Sequence, residues 1–321
     1  MTFPPAALNQ PALVASIGAG ALASFPALQA SALSIPVSYL KVINALAFFI
    51  NMYAITVPGR LDGESSTDPV NGENPFLNRI LVAPAGWAFG IWGVIFLGEL
   101  VFSLAQFSSV ASSIEPLLKE IAIPFAMAQL FQILWAASFR SKYKGKWMAV
   151  SATMLSAIAL SLSKAHAIFT KSVYQSTLLQ YCIFFLPLTI HFGWTTAASL
   201  VNLNGAIARD SSSSNSLVKV AGHLSLFGAT AIGVYMTKSR AAPVYGAVIS
   251  WALFGIFDEM RRRLIKFKSS ESAEDNKSFK KSTQLQKFLA LAGGLISSAA
   301  SLLVATIFKN ASSFSGVDLN P

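Results

Sequence analysis

An all-α polytopic membrane protein is the fold class that this sequence predicts, on three observations. Hydrophobic residues make up 54% of the 321 and charged residues 12%, about half the charged share of a soluble domain, which is ~25%. Apolar runs recur along the chain, each close to the ~20 residues a helix needs to cross a bilayer. The net charge of +10 is gathered at 140–146 and 261–287, between such runs, where positive-inside topology would place it. That distribution argues against nucleic acid as a partner. The lone Cys182 excludes an intramolecular disulfide and a cysteine metal site, and no metal site is predicted.

Residues 1–36 are rich in Ala, Ser and Pro and carry no charge. Gly18, Gly20 and Pro26 interrupt the apolar stretch, and a basic n-region and arginines are missing. A flexible or interfacial leader is predicted, with a cleaved targeting segment as the alternative. The first span is placed at 37–57, ended by Pro58-Gly59. The polar, acidic loop that follows, Arg60 to Asn78, has turn signals at Asp62-Gly63, Asp68-Pro69 and Asn71-Gly72. Its length suggests a lid or binding loop.

The second span, 81–107, organises the chain, with one charge, Glu99. Its first third carries Pro84, Gly86, Trp87, Phe89 and Trp92. Proline there surrenders a donor that would be orphaned anyway, glycine admits close approach, and the aromatic rings offer broad surfaces. A crowded aromatic environment follows, either a helix seam or a pocket mouth. Further spans are expected near 120–139, 147–169, 178–202, 217–237, 241–260 and 288–308, with a joint at 210–215 and a disordered basic segment at 261–287. That makes eight helices. The connections after odd-numbered spans hold most of the Lys and Arg, so they should face the cytosol or its equivalent, with both termini opposite. Arg261-Arg-Arg263 fits this topological role better than a lipid site.

Glu99 at membrane depth needs a partner or a proton. Counting from Pro84 and from Trp147 puts Lys164 at a matching depth, at ~1.5 Å rise per residue. A Glu99–Lys164 or Glu99–His166 pair is therefore expected, with an acid that snorkels or bonds to Ser and Gln as the equal alternative. Trp194, Ala198 and Asn202 fall at i, i+4 and i+8, one helical stripe that suits a ligand wall and a packing seam alike. No phosphate loop, nucleophile elbow or His-Glu-x-x-His is present, so no enzyme chemistry is predicted.

Three stretches together resemble the translocator protein / tryptophan-rich sensory protein (TspO) family. Pro84-Ala-Gly-Trp-Ala-Phe-Gly-Ile-Trp-Gly-Val-Ile-Phe96 resembles the Trp-rich start of its second helix. Gln132-Ile-Leu-Trp135 resembles the Asn-x-x-Trp of the third, and Trp194-Thr-Thr-Ala-Ala-Ser-Leu-Val-Asn202 the fifth. The chain departs in the five-residue spacing of Trp87 and Trp92, in Gln132 for Asn and in Ser199 for Thr. The resemblance implies a TspO-like five-helix bundle over 37–209, with about three additional C-terminal transmembrane helices in 210–321. It also implies a pocket for a hydrophobic or tetrapyrrole ligand, porphyrin or haem included, in sensing, storage or transport. Trp87, Phe89, Trp92, Gln132, Trp135, Trp194, Ala198, Ser199 and Asn202 are its ligand-binding candidates, and His191, one turn before Trp194, could ligate a haem iron. The expected partners are the lipid bilayer, a hydrophobic small molecule and, as an option, a second copy in a homodimer. The alternatives are a proton-coupled secondary transporter and a structural subunit of a membrane complex, although no internal repeat supports the former.

Overall fold

Buried amides and exposed leucines set the character of this molecule. Asn44, Asn51, Glu99, Gln106, Gln129, Gln132 and His191 are all buried, while Leu97, Phe227 and Leu302 are 64%, 71% and 68% exposed. Polar groups inside and large apolar side chains outside is the arrangement that lipid, acting as solvent, favours.

The computed structural model describes residues 8, 10–56, 79–138, 142–171, 176–210, 212–268 and 274–314. Among these lie nine long helices: α1 (Pro11–Ala32), α2 (Val37–Thr56), α3 (Ile91–Ala105), α4 (Glu115–Ala137), α5 (Ala149–Phe169), α6 (Leu178–Arg209), α7 (Asn215–Ser239), α8 (Pro243–Lys268) and α9 (Glu274–Phe314). No strand occurs among the described residues. All but α8 belong to a stretch long and apolar enough to cross a membrane, which for α3 begins at Gly86. Asp258, Glu259 and Arg261–Arg263 lower the apolarity of α8 toward its end.

The leader expected at 1–36 is the first correction: Pro11–Ala32 is a helix. Pro11 stands in its first turn, where its missing N–H costs nothing. The helix packs on α4 and α5, with Gln29 Nε2 donating to the Glu120 carbonyl at 2.7 Å and Lys164 Nζ over the Phe25 ring at 4.7 Å. Its breaker residues hid it. A second correction concerns the N-terminal side alone: Tyr143 Oη donates to the Leu8 carbonyl at 2.8 Å, so the start of α1 lies beside the α4–α5 connection and not opposite it. The segment expected to be disordered, 261–287, is largely helical, since α8 runs to Lys268 and α9 begins at Glu274. The expected lid, 60–78, and Arg140 lie outside the described residues.

Helix α4 is the hub of one half, touching α1, α2 and α5, while α6 joins α5 to α3, α7 and α8. Helix α9 covers α8 and α7. The last three helices share the main core with the rest, since Leu226, Tyr245, Ile249 and Ala290 belong to the same cluster as Ile95 and Phe131. A smaller core of Ile80, Leu81, Ala208, Val218 and Phe279 seats the segment before α3 on α6, α7 and α9. At that rim Arg79 donates to the Ser213 carbonyl at 2.5 Å. Nearby, the backbone N–H and hydroxyl of Ser212 hold the Asp210 carboxyl below its ordinary range.

Two local breaks shape the centre. Residues 80–85 are not helical, a 3₁₀ turn spans Gly86–Gly90, and only then does α3 begin. The expected helix from 81 is therefore shorter, because Ala85 N–H is taken by the Gly255 carbonyl of α8 at 2.9 Å. In α6 a π segment, Tyr181–Phe185, precedes Pro187, whose missing N–H breaks the regular ladder. Pro187 then lies against Gly98 of α3. A Cβ at Gly98 would stand 2.8 Å from the Pro187 Cβ, so glycine permits the close α3–α6 crossing. We predict that Gly98→Val forces these helices apart and costs about 1–3 kcal/mol. A lowered thermal unfolding midpoint in detergent would show it, and an unchanged midpoint would refute it.

Candidate functional site

The crossing at Gly98 brings Glu99 to α6. Its Oε1 lies 2.6 Å from His191 Nδ1, and its Oε2 accepts from Gln129 Nε2 of α4 at 3.0 Å. Gln129 Oε1 in turn accepts from Asn51 Nδ2 of α2 at 2.7 Å. Four helices are thus tied by one polar chain, every member of which is fully buried. Asn44 and Gln106 form a second amide pair between α2 and α3 at 3.0 Å. Asn44 is two turns before Asn51, so one face of α2 supplies both.

The expected partners of Glu99 are corrected here. Lys164 lies over Phe25, and His166 packs on Phe169 and Phe192. Matching depth was a necessary condition only. Helix α3 packs on α2 and α6, whereas α5 packs on α4 and α6.

Directly beside the polar chain is an aromatic cluster. Trp92 stacks on Trp135 (5.4 Å, 25°) and on Phe96 (5.3 Å, 17°), and meets Trp194 (6.2 Å, 88°) and His191 (5.6 Å, 73°) edge to face. Phe89 sets its ring against Trp194 at 5.6 Å. Phe89, Trp92, Trp135, Trp194, Ala198 and Asn202, six of the sequence candidates, line one narrow cleft with Pro84, Ala197, Val201 and Ala252. Of about 330 Å³ of space between these atoms, only about 20 Å³ is open to the centre of a water molecule, room for about one water. The rings themselves fill the site.

Four candidates stand elsewhere. Trp87 is drawn to α8, where its ring packs on Trp251 (4.7 Å, 87°) and its Nε1 donates to Asp258 at 3.1 Å. Gln132 is buried with no hydrogen-bond partner for its amide, and the Ser199 hydroxyl donates to the Thr196 carbonyl at 2.8 Å. His191 lies behind Trp92, with Nδ1 engaged by Glu99 and Nε2 without a partner. Asn202 serves the seam as well as the cleft: it donates to the Ala198 carbonyl at 2.9 Å and accepts from Ser151 of α5.

Sequence reasoning missed Gln129, Asn51 and the whole contribution of α8. The signal for the first two was a carboxamide in each of two apolar spans. Ala252 carries no such signal, and neither does Gly255. Yet α8 holds the segment before α3 at several points, with Trp251 Nε1 donating to the Ala88 carbonyl at 3.0 Å and Arg263 to that of Ile80. Among the described residues no group of His, Cys, Asp or Glu could hold a metal ion.

Comparison with known protein families matches the TSPO-like protein family over residues 39–267, from early in α2 to the end of α8. No curated protein and no solved structure matches the chain. The chain belongs to the TSPO-like family, and it is an all-α, multi-pass integral membrane protein. The matched region passes residue 209 and takes in α7 and α8.

The two glutamines of α4 offer a contrast. Gln129→Leu removes two buried hydrogen bonds and leaves Glu99 Oε2 and Asn51 Nδ2 unpaired, and should destabilise by about 1–3 kcal/mol. Gln132→Leu removes only an unpartnered amide and should be neutral or stabilising. Denaturation of both variants under one set of conditions would check this, and equal losses would contradict it.

Proposed function

We propose that this membrane protein binds a flat, hydrophobic ligand of tetrapyrrole type, porphyrin or haem among them, in the cleft between α3, α4, α6 and α8. The supporting observation is the convergence of Phe89, Trp92, Trp135 and Trp194 on one cleft, since small-molecule sites pair aromatic walls with few polar groups. The cleft is nearly closed, so binding includes an opening step in which Trp92 or Phe89 gives up its place. Phe89 is 45% exposed and is the freer of the two. Ring-on-ring contacts of this sort are worth ~0.5–1.5 kcal/mol each, which a stacked ligand can replace.

No reaction is assigned, and the cleft suits sensing, storage or transport of its ligand. In our reading the end of the molecule that carries Leu8, Tyr143, Lys144 and Arg261–Arg263 faces the cytosol or its equivalent, by the excess of positive charge there.

Tryptophan-fluorescence quenching by protoporphyrin IX in detergent tests the ligand reading. Saturable binding is expected for the wild type and for Trp87→Phe, whose ring lies on α8 and outside the cleft. Trp92→Leu and Trp194→Phe should each weaken it by about tenfold, or ~1.4 kcal/mol. Unsaturable quenching of the same depth in all four proteins would mean partition into detergent and would end this reading.

A further inference from the structure

A groove runs along the outer flank of α7. Its lining among the described residues includes Phe227, Ala231, Val234, Tyr235, Lys238 and Ser239, and it admits a water-sized sphere over about 670 Å³. That lies within the ~300–1,000 Å³ of small-molecule sites, whereas by the same measure the aromatic cleft offers about 20 Å³. None of the groove residues lines the cleft. Thr230 also borders the groove, and its hydroxyl donates to the Leu226 carbonyl at 2.9 Å. A Cβ on Gly293 would collide with that hydroxyl, so α9 passes alongside.

The groove has one apolar end and one polar end. Phe227 stands midway along α7, and Lys238 is its penultimate residue. They are eleven positions apart, which at ~1.5 Å rise each is about 16 Å, half of a ~30 Å hydrocarbon core. The groove is therefore as long as one leaflet is deep, a length that suits one acyl chain. At its outer end Tyr235, Lys238 and Ser239 fall at i, i+3 and i+4, so two hydroxyls and an ammonium share one patch.

Other basic residues at this end have partners within the protein. Arg240 donates to the Ser163 carbonyl and hydroxyl at 2.8 and 3.0 Å, Lys171 and Lys41 pair with Glu120 and Glu115, and Lys164 lies over the Phe25 ring. Lys238 is exposed, and among the described residues none pairs with it. On the orientation proposed above this end faces away from the cytosol, so positive-inside placement gives no reason for a lysine there.

We propose that the groove holds one phospholipid with an anionic headgroup. Its phosphate meets Lys238 and the hydroxyls of Tyr235 and Ser239, and one acyl chain lies along Val234, Ala231 and Phe227. The net negative charge of such a headgroup complements the lone ammonium, whereas a choline headgroup brings a cation of its own.

Native mass spectrometry of the detergent-purified protein tests this, after incubation with phosphatidylglycerol or with phosphatidylcholine of the same acyl chains. The wild type should retain one phosphatidylglycerol and favour it over phosphatidylcholine about fivefold, the worth of one lysine near an anionic lipid surface. Lys238→Gln should abolish that preference. Ala231→Trp, which sets an indole into the groove from an exposed position, should reduce retention of both lipids. Thermal midpoints without added lipid check folding and should agree among the three proteins. Equal retention of the two lipids by the wild type, or a preference that persists in Lys238→Gln, would overturn the headgroup assignment. Retention unchanged in Ala231→Trp, or no retention by the wild type, would overturn the site itself.

Discussion

A carboxylate placed where no water reaches it constrains the centre of this molecule. Glu99 is fully buried and is held by a chain of three partners, His191 and Gln129 directly and Asn51 through Gln129. Each partner comes from a different helix, so α2, α4 and α6 are bound to α3 at one level. In lipid there is little hydrophobic force to bring helices together, and association rests on close packing and hydrogen bonds between them. Both are present here within two adjacent residues: Gly98 allows the approach to Pro187, and Glu99 uses it. The aromatic cleft takes its geometry from the same crossing, since Trp92, two turns before Glu99 on α3, touches His191.

The other half of the design is the way the chain enters α3. Residues 79–90 are laid across the C-terminal helices before α3 begins. Ile80 and Leu81 pack with Val218 and Phe279, Ala85 bonds to Gly255, and Trp87 packs on Trp251. A Cβ at Gly255 would stand 2.8 Å from that of Ala88, which shows how closely this strap and α8 are fitted. The wall that α8 adds to the cleft is small, an alanine, but it closes the side on which the strap lies.

Much of the fold was legible because bilayer thickness fixes the length of apolar runs: each span expected from 37 onward overlaps a helix, although α3 begins only at Ile91 and α8 holds no stretch apolar enough to cross a membrane. Helix α1 was not legible. Its Gly18, Gly20 and Pro26 resemble breakers in isolation, and the surfaces of α4 and α5 give it something to pack on. The start of α3 was overestimated because a backbone bond from another helix, 170 positions on by number (Ala85 to Gly255), competes with the helical ladder there. Of the site, the residues that fall on one face of a helix were found: Trp194, Ala198 and Asn202 together, and Trp92 with Trp135 by family pattern. Trp87 was misplaced because the start of α3 is 3₁₀, so the angular relation between Trp87 and Trp92 is not that of an α-helix. The partner of Glu99 was misassigned because depth can be counted along a sequence and lateral neighbours cannot.

The contribution of α8 also bears on how the molecule comes into being. The aromatic side chains of α3, α4 and α6 are made and inserted well before residues 251–255 exist. Until α8 has joined them, the strap at 84–88 lacks the carbonyl of Gly255 and the indole of Trp251, and the cleft lacks its last side. The three helices that carry the rings, α3, α4 and α6, therefore form an unfinished cleft during biosynthesis, one that still lacks the side Ala252 supplies. On the proposed ligand-binding reading, that is the stage at which the cleft is most open to a ligand dissolved in the membrane.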